Sequence, residues 1–213
     1  MYGFPYYKTK DHAKVLQFMQ AHPFVMLVGC EEQQCPVASQ VPILISEKDG
    51  RMFLEGHVMR NTDHQKAFAA NSNVLAIFTG PHTFVSASWY TNPQQASTWN
   101  YMAVHARGKL TFLSEERLID ILRRTTEQFE SNSASEASFD KLPHEYVTRL
   151  AKAIVGFEIE VTALDHTFKL SQNRDEESYK NITHHLSVSD NADANEIAKM
   201  MEAGHTNVYN KEK

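Results

Sequence analysis

From Trp89 to Asn100 the chain carries two tryptophans, a tyrosine, two asparagines and several hydroxyls, the mixture that a planar polar ligand requires. A second group, His57, Arg60 and Asn61, falls where a strand gives way to a short helix. Helix amides point outward at such a start and an arginine offers a fork matched to phosphate oxygens, so this corner is competent to bind phosphate. An equally available reading makes His57 and Arg60 ordinary surface residues beside a turn. Other chemistries are not written here: no GxGxxG, Walker loop, GxSxG elbow or HExxH occurs. Among the eleven histidines, His184 and His185 are adjacent and face different sides of a helix. Cys30 and Cys35 have no histidine close in sequence, so no metal site is expected. Glu158 and Glu160 share a strand face, which reads as a solvated face rather than a glycosidase pair. No residue stands out as a catalytic acid or base.

The elements that must hold these residues are mostly strands. Asp11 predicts a helix cap, with Val15, Leu16, Phe18 and Met19 on one face and a stop before His22-Pro23. Phe24 to Cys30 is a continuous apolar run of strand length, Val37 to Ile45 alternates with Pro42 inside it, and Lys48 to Gly50 is a hairpin turn into a third strand over Met52 to Val58. Asn61 or Thr62 caps a short helix with Ala67, Phe68 and Ala69. Val74 to Phe78 reads as a buried strand, Gly80 to His82 as a turn, Thr83 to Tyr90 as the next strand, and Tyr101 to Phe112 as a clean alternation. Six strands with only short helices between them favour a closed or Greek-key barrel over a doubly wound parallel sheet.

Ser114 with Glu115 and Glu116 starts a longer helix whose Arg123 and Arg124 read as part of its solvated face. Ser131 to Asp140 is a polar loop, Pro143 opens another helix, and Ile154 to Leu164 is a strand ending in a turn at Asp165-His166. A tail helix places Ile197, Met200 and Met201 on one face, as packing, and stops at Gly204.

At 213 residues and a formal charge of −5, the chain suits one domain with a sizeable core and offers no basic patch for a polyanion. The two cysteines read as free thiols in a reducing compartment. The amino terminus lacks the apolar core of a signal peptide and no run approaches a membrane span, so a cytoplasmic protein is expected.

Seven blocks taken in order resemble the PaiB family of FMN-binding negative transcriptional regulators, also described as protease synthase and sporulation regulators. They are HPFVMLV at His22, LEGHVMRN at Leu54, LAIFTGPHTFVSASWY at Leu75, TWNYMAVHARG at Thr98, IVGFEIEVTAL at Ile154 and FKLSQNR at Phe168, with MY near the start. The resemblance implies a mainly β protein with peripheral helices (α+β), a Greek-key split β-barrel of the pyridoxamine-phosphate-oxidase-like, FMN-binding type. It implies a single domain over 1–213 with a helical tail from about 175, binding FMN as a homodimer. Carried onto this sequence, His57, Arg60 and Asn61 lie near the ribityl phosphate. Ser86, Ser88 and Trp89 close the next strand, and Thr98, Trp99 and Asn100 serve the isoalloxazine. Lys169, Ser171, Gln172 and Arg174 come from the far side of the cleft.

Two functions follow. One is negative regulation, expected to be indirect because no basic recognition helix is present. The other is an FMN-dependent oxidoreductase using NAD(P)H with an unknown acceptor. A third reading, haem binding or degradation, would use His82 or His105.

Overall fold

The computed structural model describes residues 1–130 and 138–209. Among them the chain runs α1 (His12–Ala21), β1 (Phe24–Cys30), β2 (Pro36–Pro42), β3 (Leu44–Lys48), β4 (Arg51–Met59), α2 (Asp63–Ala70) and β5 (Asn73–Val85). It continues through β6 (Thr98–Phe112), α3 (Glu115–Phe129), α4 (His144–Ala151), β7 (Ile154–Lys169), α5 (Glu176–Ser187) and α6 (Ala192–Tyr209). The strands form one sheet in the order β2-β1-β5-β6-β7-β4-β3, and the β1/β2, β1/β5, β3/β4 and β4/β7 pairs are antiparallel.

The strand prediction succeeds in number but divides the chain differently. The alternating run over Val37 to Ile45 is two strands on opposite edges of the sheet, β2 against β1 and β3 against β4. Pro42, without an N–H and with φ fixed, ends the first. Ile43 then donates its N–H to the Pro23 carbonyl at 2.8 Å, away from either ladder. Conversely, Gly80 to His82 is not a turn: β5 passes straight through it. Its pairing with β1 covers only Leu75 to Ile77, so Pro81 has no β1 hydrogen bond to lose. Asp165-His166 is not a turn either, and lies inside β7. There the Asp165 carboxylate accepts from Lys8 Nζ at 2.6 Å and from the His166 amide at 2.9 Å, holding the amino-terminal segment instead of reversing the chain.

Helix starts follow their caps. Asp11 Oδ1 accepts from the Ala13 amide at 3.1 Å, Ser114 Oγ from Arg117 N at 3.4 Å, and Asp175 Oδ1 from Ser178 N at 2.8 Å. Gly204 does not end the tail helix, because its backbone stays helical and α6 continues to Tyr209. A mid-helix glycine costs about 1 kcal/mol relative to alanine, which packing can offset. Of the expected polar loop at Ser131 to Asp140, 131–137 lies outside the described residues and Phe139–Lys141 is a short 3₁₀ turn.

The described chain sorts into two compact units. One comprises Met1–Met19, Thr79–Val104 and Asp165–Lys213; the other Gln20–Phe78 and His105–Leu164. In the first, Ile197, Ala198 and Met201 of α6 and Tyr179, Ile182 and Leu186 of α5 bury against Val85, Ala87, Tyr90 and Leu170. Met200 packs at the edge of this cluster, so the tail methionines are packing residues. In the second unit, β6 and β7 approach so closely at Gly108 that an added Cβ would lie 2.4 Å from the Glu160 carbonyl oxygen.

That second unit also corrects the reading of α3 as plainly amphipathic. Glu55, on β4, is 1% exposed, and its two carboxylate oxygens accept from Arg117 and Arg124, each at 2.8 Å. Arg117 also reaches Glu158 at 3.4 Å, and Arg124 reaches Asp120 at 2.9 Å. Arg123 pairs with Asp140 at 3.1 Å. Burial pushes the Glu55 pKa up, but Arg124 and then Arg117 outweigh it and hold the carboxyl below its ordinary value.

Candidate functional site

In the first unit, the residues around Trp89 and Asn100 are brought together with the end of β7. Ser86 caps a 3₁₀ turn over Ala87–Trp89 by accepting from the Ser88 amide at 3.2 Å, and the two serine hydroxyls lie 2.8 Å apart. Trp89 stacks on His185 of α5, with ring centroids 4.9 Å apart and planes 14° from parallel. After an exposed loop, β6 opens at Thr98, whose hydroxyl accepts from the Lys169 ammonium. Trp99 is 51% exposed, with Phe84 and His82 as ring neighbours at 6.1 and 6.0 Å.

Asn100 and Ser171 are buried and serve each other. Ser171 Oγ donates to Asn100 Oδ1 at 3.0 Å, and the Asn100 amide donates to Met201 Sδ at 3.5 Å. Ser171 adopts φ 62°, a left-handed backbone that a non-glycine residue holds only when its surroundings fix it. Gln172 folds back on its own strand end: its side-chain oxygen accepts from Leu170 N at 2.7 Å and its amide donates to the Phe168 carbonyl at 2.5 Å. Asn100 and Ser171 thus join β6, the end of β7 and α6, and Gln172 stiffens that strand end.

The neighbours are cationic and aromatic. The Lys169 ammonium lies 5.7 Å from the ring centre of Tyr2 and 6.0 Å from that of Tyr7, and the Arg174 guanidinium lies 3.9 Å over Tyr90. Arg174 also donates to Gln95 Oε1. Burial, and after it the charge of Arg174, lowers the Lys169 pKa. Burial chiefly raises that of Tyr7 to about 12, so its phenol stays protonated and donates to Asn173 Oδ1 at 3.2 Å. Thr9 N donates to His166 Nε2 at 2.9 Å, beside the Lys8–Asp165 pair. These contacts fix the segment that carries Tyr2 and Tyr7. Sequence reasoning did not name those tyrosines as neighbours of Lys169, although the Met1-Tyr2 pair was one of the matching blocks.

In the second unit, His57 lies near the end of β4, and Arg60 and Asn61 follow it before α2. His57 is half-buried, which lowers its pKa and favours the neutral ring. Arg60 is exposed, its amide bonded to the Ala153 carbonyl at 2.9 Å, and among the described residues no carboxylate pairs with it. Asn61 has φ 63°, and the cap of α2 is Thr62. Thr62 Oγ1 accepts from Gln65 N at 3.4 Å, a side-chain N-cap, while Gln65 Oε1 reaches back to accept from Asn61 N at 3.1 Å. The His64 amide is taken by Asp63 at 2.7 Å. Of the first-turn amides, those of His64 and Gln65 are thus taken by side chains of the cap and the helix itself. Arg60 is an exposed cation at this corner.

FMN needs aromatic cover for a planar ring, donors for the ring edge and cations for a phosphate. In the first unit, Trp99, Thr98, Lys169 and Arg174 supply aromatic, hydroxyl and cationic groups; in the second, Arg60 is an exposed cation. The Tyr90 hydroxyl, buried without a partner among the described residues, adds an unsatisfied polar group on the ring that Arg174 covers. The donor set fits the cofactor.

Comparison with known proteins agrees. A family model described as "Putative FMN-binding domain" matches residues 1–163. The chain belongs to this family. FMN is the family's cofactor, and the match ends within β7, just before Lys169. The chain is 33% identical over 202 residues to the protease synthase and sporulation protein PAI 2 of Bacillus subtilis (strain 168), covering 95% of this chain and 97% of that one. The resemblance to PaiB proteins thus extends through the strand end and tail that the family model omits. Two solved structures share the split-barrel fold. One is an FAD and heme binding protein from Mycobacterium smegmatis, at 12% identity and TM-score 0.57, covering 76% of this chain and 72% of that one. The other is the flavocytochrome Anf3 from Azotobacter vinelandii, at 14% identity and TM-score 0.56, covering 84% and 78%.

Proposed function

We propose that this chain is an FMN-binding negative regulator of the PaiB type that acts indirectly, through its flavin or a partner protein. It would work as a cytoplasmic homodimer. Bound FMN would supply a ring able to take up and release electrons. Toward that ring, Thr98 and Lys169 offer hydroxyl and ammonium contacts, Trp99 offers an exposed indole face, and Arg174 adds positive charge. His57, Arg60 and Asn61 are assigned to the phosphate by their chemistry, with Arg60 as its counter-charge. Ser86, Ser88, Trp89, Asn100, Ser171 and Gln172 act by positioning these groups.

The observation that carries the indirect reading is the disposition of positive charge. Arg51, Arg117, Arg123 and Arg124 are held by Glu160, Glu55, Asp140 and, for Arg124, also Asp120. The α5–α6 pair opens with Glu176, Glu177 and Asp193 rather than with a basic recognition face. DNA binding draws its affinity from cations that displace counterions, and these four arginines already face carboxylates. Mobility-shift measurement at physiological salt is the test. Equal, weak binding to promoter and scrambled DNA is expected, and selective binding of the promoter would refute indirect action. Reduction of the bound flavin by NADH or NADPH in the same preparation would instead favour an oxidoreductase.

A further inference from the structure

We propose that Lys169 is the charge partner of the flavin ring: held by Thr98 and walled by Tyr2 and Tyr7, its ammonium stabilises the negative charge the ring gains on two-electron reduction. The protein then binds reduced FMN more tightly than oxidised FMN. This rests on the FMN reading above.

An ammonium carries three donors and no acceptor. The oxygen that Lys169 contacts among the described residues is the Thr98 hydroxyl, and its other neighbours are the faces of two tyrosine rings. No described carboxylate is paired with it. The nearest acids in sequence are already occupied: Asp165 holds Lys8 at 2.6 Å, and Asp175 accepts from Ser178 at the start of α5. The charged group acting on Lys169 is Arg174, which has the same sign, and the Tyr7 phenol whose ring faces it stays protonated. A half-buried cation beside a second cation is a standing electrostatic cost, which an anion would relieve and a neutral ring would not. The oxidised isoalloxazine is neutral. On reduction it takes two electrons from dithionite, which is oxidised to bisulfite, and one proton from water, leaving one negative charge on the ring. The same ammonium could instead serve the phosphate of FMN, and riboflavin, which lacks that group, separates the two sources.

The experiment measures the midpoint potential of bound flavin by dithionite titration against a reference dye, with FMN and with riboflavin, for the intact chain, Lys169→Met and Lys169→Arg. An opposite charge within about 4–6 Å shifts such an equilibrium tenfold or more. Lys169→Met should therefore lose about tenfold in the ratio of reduced to oxidised affinity, a fall of about 30 mV for two electrons. Lys169→Arg should keep most of it, and riboflavin should show the same pattern. For the intact chain, bound FMN should have a higher potential than free FMN, a comparison that needs no variant to fold. A bound potential at or below the free value overturns the proposal. So does a Lys169→Met variant that loses FMN affinity but not riboflavin affinity with the potential unmoved. If the intact chain binds no FMN, the underlying FMN reading fails as well.

Discussion

Replacing Glu55 with glutamine tests whether α3 is held to the sheet by charge. The substitution keeps the shape and removes the charge from a side chain 1% exposed that accepts two guanidinium hydrogen bonds at 2.8 Å. Breaking a buried ion pair from one side typically costs about 3–5 kcal/mol. Here the cost is smaller, because Arg117 and Arg124 are 44% and 35% exposed and can turn to water, Glu158 and Asp120. A loss of about 2–3 kcal/mol follows. For a chain of this size that is roughly 4–12 °C in Tm. The pH dependence separates charge from packing. The folded Glu55 carboxyl lies below its unfolded value, so its contribution is fully present above the unfolded pKa of about 4.3 and is lost as pH falls through the folded one. Thermal melts followed by near-UV circular dichroism at pH 7 and in steps down to acid should show the gap between wild type and Glu55→Gln narrowing below about pH 4. A gap under about 0.5 kcal/mol at pH 7, or one that does not change with pH, would refute the charge argument.

Two further outcomes follow from particular contacts. Arg60→Ala should weaken FMN about tenfold in a fluorescence titration while leaving riboflavin nearly unchanged, because only FMN carries the phosphate that a charged hydrogen bond would hold; equal losses would remove Arg60 from the phosphate. Gly108→Ala places a methyl group 2.4 Å from the Glu160 carbonyl oxygen, backbone that cannot swing aside, and should cost about 3 kcal/mol by urea denaturation; a neutral result would mean that β6 and β7 do not approach as described.

Strand periodicity and helix caps were legible in the sequence because both are local. Asp11, Ser114 and the alternation beyond Tyr101 each act within a few residues. What misled were turn signals read without their partners. Pro81 and Asp165 look like punctuation, yet one sits where the strand has left its β1 neighbour and the other grips Lys8 from the far end of the chain. The candidate residues were found from their types and motif blocks, but their division of labour was not visible. Nothing local distinguishes Thr98, which meets Lys169, from Asn100, which is buried against Ser171 and Met201. Tyr2 and Tyr7 reach Lys169 only through tertiary contacts about 160 residues apart in sequence, beyond any periodicity argument. The link between Glu55 and Arg124 was hidden for the same reason.

The central claim is that this chain binds FMN, and titration of the purified protein with FMN tests it most directly, following flavin absorbance and Tm together. The account predicts a saturating change in the flavin spectrum and a Tm that rises with FMN concentration, by about 2.7 kcal/mol of stabilisation at one hundred times Kd. Saturating FMN that alters neither the spectrum nor the Tm would contradict it.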